Sequence, residues 1–66
     1  MKTLILNKDI YSIMGIQKAK AAYADFAKIH VLPQKHSWLL VFHSFRYDPE
    51  QTIQEFENYL IGLENT

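Results

Sequence analysis

His30, His36 and His43 are the side chains of this sequence best suited to proton transfer or metal ligation. His30 and His43 fall in two apolar runs that read as neighbouring strands, a placement that could bring them near each other. A metal site needs converging ligands and a second shell that orients them, and no Asp or Glu stands beside either residue in sequence. Cysteine is absent, which excludes disulfides and thiolate zinc sites. The histidines are therefore expected to be ordinary residues, with no metal and no cofactor. His43, Ser44 and Asp48 have the side-chain types of a nucleophile set. The Gly-x-Ser-x-Gly setting that presents such a serine is missing, and no strained turn is expected there. Adjacent strand residues also point to opposite faces, so His43 is poorly placed to activate its neighbour. With no phosphate-binding glycine loop and no dinucleotide fingerprint either, the expectation is a protein that is not an enzyme.

Binding chemistry is better represented. Arg46 and Tyr47, just past the most apolar strand, could hold a carboxylate or a peptide terminus. Tyr11 and Tyr23 read as core or rim residues. Trp38, Leu40 and Phe42 lie on one face of that strand, and large aromatics concentrate at interface hot spots. Trp38 and Phe42 could also stack nucleobases, as sheet aromatics do. Lys plus Arg equals Asp plus Glu, seven of each, so the basic excess that nucleic-acid binders carry is missing and no nucleic-acid partner is expected.

These residues need elements to position them. Lys2 to Asn7, with Leu4, Ile5 and Leu6, reads as a first strand. From Ser12, a natural N-cap, the period changes. Ile16, Ala19, Tyr23, Phe26 and Ala27 recur at helical spacing, and the alanines are strong helix formers. Ile29 to Leu32 reads as a second strand, stopped by Pro33, which suits an edge. Gln34, Lys35 and His36 make a turn. Ser37 to Phe45 is the strongest strand signal, apolar at both parities. Asp48-Pro49-Glu50-Gln51 opens a second helix with a capping residue, a first-turn proline and a capping-box glutamine. Its apolar stripe is Ile53, Phe56, Tyr59, Leu60 and Leu63.

The order β-α-β-β-α, with a right-handed crossover and a tight hairpin, defines an α+β domain over residues 1–66. Its three-stranded sheet has the order 1-3-2, with both helices on one face: a truncated ferredoxin-like, split β-α-β arrangement. Two helices cover only one face, yet the central strand is apolar on both. Trp38, Leu40 and Phe42 form one set; Leu39, Val41 and Phe45 form the other. The uncovered set predicts a homodimer or a protein or peptide partner, assigned here to Trp38, Leu40, Phe42, Arg46 and Tyr47. On that assignment Trp38→Ala should weaken partner binding more than folding. Zero net charge with 48% hydrophobic residues also favours self-association. A chain this short buries only about 60% of its unfolded surface, so a partner would supply stability that the core lacks. No apolar run approaches the length of a membrane span or a signal-peptide core, and a cytoplasmic protein without a membrane partner is expected.

Tyr11-Ser12, Ile16, Ala19, Ala22-Tyr23 and Phe26, followed by Val31, resemble the opening of the HxsD-type proteins of His-Xaa-Ser peptide systems. Phe56-Glu57-Asn58-Tyr59-Leu60 is similar to that family's Phe-x-Asn-x-Leu helix. The family tends to finish in Leu-Arg-Glu, whereas this chain reads Leu63-Glu64-Asn65-Thr66. The resemblance implies an accessory protein that works beside radical S-adenosylmethionine enzymes modifying a ribosomally made peptide, by binding the peptide or the enzyme. The rival expectation is a self-assembling regulatory or antitoxin-like dimer.

Overall fold

The computed structural model describes residues 1–65. Strand β1 (Lys2–Asn7) leads through helix α1 (Ile13–Ala22) to β2 (Lys28–Pro33), β3 (Ser37–His43) and helix α2 (Pro49–Glu64). The sheet order is β1-β3-β2, and both outer strands run antiparallel to β3. The expected order of elements and of strands is therefore observed. The strand richest in apolar residues is central.

One core holds the layers together. Leu6, Ile29, Leu40 and Phe42 from the sheet are buried with Ile16 and Ala19 of α1 and Phe56 and Leu60 of α2. Both helices thus lie on the same sheet face. The two aromatics at the centre, Phe42 and Phe56, meet edge to face at 5.1 Å between ring centres, a favoured geometry for aromatic pairs. Thr52 is the one buried polar residue among those described, and its hydroxyl donates to the Asp48 carbonyl at 2.8 Å.

Two ends differ from the periodic reading. Helix α1 stops at Ala22 and does not continue to Ala27. Tyr23 is its C-cap, and tight turns follow in which the Phe26 and Ala27 amides both donate to the Tyr23 carbonyl. These turns keep Tyr23 and Ala27 against the core while reversing the chain into β2. Strand β3 stops at His43, two residues before Phe45. Ser44 takes φ 57°, the left-handed region, which breaks the alternation. Phe45 is thereby carried to the helix side, where it packs on the core and stacks with Phe42 at 6.2 Å. It does not join Leu39 and Val41.

The helix starts follow their capping residues. Asp48 accepts from the Gln51 amide at 2.9 Å, with Pro49 in the first turn. Ser12 Oγ accepts from the Gly15 amide at 3.0 Å, and Glu64, from the far end of α2, accepts from both the amide and the hydroxyl of Ser12. The carboxylate is misplaced for the dipole of its own helix but well placed for that of α1. Gly15 leaves room for it, since a Cβ there would collide with Glu64 Oε1. Ser12→Ala removes the cap and one donor to Glu64 together. It should cost about 1–2 kcal/mol, read as a thermal midpoint lowered by roughly 4–8 °C per kcal/mol in a domain of this size.

Candidate functional site

The face of the sheet opposite the helices has no cover from the described residues. Register fixes what stands on it. Leu39 pairs with Ile5 on one side and with Leu32 on the other, giving an apolar row across all three strands. Val41 sits between Thr3 and His30 in the next row, and His43 pairs with Lys28 in the one after. Ile5 is 66% exposed and Leu32 48%. Leu39 and Val41 are half-buried by their neighbouring strands, yet neither packs against the core. The surface grades from aliphatic at the Leu39 row to basic and imidazole-bearing at the Lys28 row.

This corrects the expected interface set. Leu40 and Phe42 are wholly buried beneath the helices and cannot meet a partner. Trp38 shares their parity. It is partly buried against the core, its indole N–H donates to the Tyr11 carbonyl at 3.0 Å, and the Lys8 ammonium lies 4.6 Å from its ring centre. Trp38→Ala is therefore expected to cost stability before partner affinity, where the sequence alone points to affinity first. Arg46 and Tyr47 are exposed, away from the open face, with the guanidinium carbon 5.8 Å from the Tyr47 ring centre. Ile5 and Leu32 belong to the surface and were missed. Their signal was pairing: once Leu39 is assigned outward, both follow.

His30 and His43 do meet across the two strands, stacked at 4.8 Å and 10° between ring planes. Among the described residues, no group of three or more His, Cys, Asp or Glu comes together to hold a metal ion. Ser44 does occupy strained backbone, contrary to expectation, but no hydrogen bond joins it to His43 and the chain continues into a loop.

Comparison with known protein families, characterised proteins and solved structures finds no match. No helix among the described residues is long and apolar enough to cross a membrane.

One ionisable group on the helix side departs from its ordinary behaviour. Burial pushes the Tyr23 hydroxyl pKa up, and the charge of Glu55 and the neighbouring Tyr59 phenol add to it. The folded state therefore holds this proton more tightly than the unfolded chain. Its contribution to stability is present below the ordinary tyrosine value and is lost as pH rises through the folded one. An absorbance titration of phenolate formation should include a step above the ordinary tyrosine value that Tyr23→Phe removes.

Proposed function

We propose that this chain is a non-catalytic binding module whose working surface is the open sheet face bearing Ile5, Leu32, Leu39 and Val41. The observation that carries this reading is the aliphatic row Ile5–Leu39–Leu32, continuous across three strands and uncovered. A small domain has little stability to spare, and leaving such a row in water forgoes roughly 25 cal/mol for each Å² of apolar surface. That cost is sensible where a partner covers the row.

Size bears on what the partner is. Three strands about 4.8 Å apart, with six or so residues at about 3.3 Å, give a footprint of roughly 300 Å². A stable protein–protein interface needs about 800 Å² on each side. The face suits an extended peptide, or one part of a larger enzyme contact, better than a dimer held by this face alone. The likeness to HxsD-type proteins supplies the setting: a cytoplasmic accessory that holds a ribosomally made peptide, or the radical S-adenosylmethionine enzyme that modifies it.

A second reading, a self-assembling regulatory or antitoxin-like dimer, draws on zero net charge together with the same exposed row. Genes for a radical enzyme beside this one favour the accessory reading, and a toxin gene favours the dimer. The direct test offers the purified protein to the precursor peptide and the radical enzyme of such a system. Retention of either supports the accessory role. A tight dimer that binds neither replaces it with the second reading.

A further inference from the structure

On the helix side, away from the open sheet face, Tyr23, Phe26, Tyr47, Gln51, Thr52 and Glu55 line a groove of about 300 Å³. Its position follows from the two chain reversals already described. The turn after α1 presents Tyr23 and Phe26, and the loop after β3 presents Tyr47. The Arg46 amide donates to the Phe26 carbonyl at 2.9 Å, which ties the two segments together. Tyr23 and Phe26 stand 5.4 Å apart with ring planes at 49°, and Phe26 and Tyr47 stand 5.7 Å apart at 43°. The three rings thus touch in sequence and form one aromatic side of the groove. Thr52 is buried, and its hydroxyl is spent on the Asp48 carbonyl. Glu55 is exposed, one helical turn from Gln51, and its charge acts on the Tyr23 hydroxyl.

One aromatic side and one carboxylate make a surface that favours a cation over a neutral group of the same shape. Ring faces are negative and attract ammonium groups, and the carboxylate adds a directed charge. The molecule already uses one of these rings this way, with the Arg46 guanidinium carbon 5.8 Å from the Tyr47 ring centre. Phe26 and Tyr47 are 37% and 58% exposed, which leaves both rings open to a ligand. We infer that the groove lined by Tyr23, Phe26 and Tyr47 receives a lysine side chain of a partner protein, its methylenes against the rings and its ammonium toward Glu55. Arg46 is the charged group that opposes such a ligand, so it sets a limit on affinity.

The test uses the whole chain and two probes that differ only in the ammonium group: Nα-acetyl-lysine methylamide and Nα-acetyl-norleucine methylamide. Aromatic and backbone resonances are followed by NMR during titration. The lysine probe should shift Tyr23, Phe26 and Tyr47 saturably, about five-fold or more tighter than norleucine, as expected for cation–aromatic contacts assisted by a carboxylate. Glu55→Gln, at an exposed position, should erase most of that preference while leaving the spectrum of the fold intact. Arg46→Gln should strengthen lysine binding. Equal response to both probes, or shifts scattered away from the three rings, would overturn the inference. So would a lysine preference that survives Glu55→Gln.

Discussion

Phe42→Ala should leave the domain largely unfolded at 25 °C, whereas Leu39→Ala, three positions away on the same strand, should leave it folded. Phe42 has no exposed surface and contacts Phe56 and Phe45. Truncating a buried phenylalanine costs about 3–5 kcal/mol in lost transfer energy and residual cavity. A single core in a chain this short supplies only about 3–5 kcal/mol in all. The one substitution therefore consumes the whole margin. Leu39 lies on the opposite parity and is not packed on the core. Its truncation removes part of one half-exposed side chain, about 1 kcal/mol or less. Circular dichroism and a urea melt of the two variants read the difference directly. Similar losses for both would mean that the sheet is covered on both faces.

The second large effect concerns binding. Leu39 is the middle of the aliphatic row and pairs with both Ile5 and Leu32. Leu39→Lys places a charge at the centre of the surface, where a partner would have to desolvate it. Central anchor positions carry about 2 kcal/mol or more of binding energy, which is roughly thirty-fold in affinity. The variant should lose partner affinity by at least that factor. Its thermal midpoint should stay close to that of the parent, because an exposed face tolerates lysine. Calorimetric titration with the precursor peptide or the enzyme checks the first statement, and a thermal melt the second. Unchanged affinity would move the binding surface elsewhere. Trp38→Ala serves as the contrast, with stability lost before affinity.

Much of the architecture was legible because local signals agreed. Ser12 and Asp48 mark both helix starts and do cap them. The change from strand to helical period gave the order of elements, and the hairpin with the crossover left one sensible place for β3. What failed was parity. Ser37 to Phe45 is apolar on both faces, so the strand alone does not say which set the helices cover. The neighbours did carry that information. His30 alternates with Ile29 and Val31 in β2, and His43 shares parity with Leu39 and Val41. The set containing the polar residues is the outward one, as register confirms. Choosing the set with the larger rings placed Leu40 and Phe42 at an interface when they form the core.

The other miss has a backbone cause. Strict alternation through Ser44 predicts Phe45 beside Leu39 and Val41, but a residue in the left-handed region shifts the side chains after it off their expected faces. Serine gives little warning of that conformation. The aromatic groove was hidden for the same reason, since it depends on where two irregular loops meet and not on any repeating pattern.

The most direct test watches the methyl groups of the open face with a soluble gadolinium chelate, in the free protein and with its partner bound. If Ile5, Leu32, Leu39 and Val41 form the working surface, their signals broaden strongly in dilute solution and are protected on binding, while Leu40 and Leu60 stay sharp throughout. A bound state in which those four remain accessible to the chelate would contradict the account, and so would a free monomer in which they are already shielded.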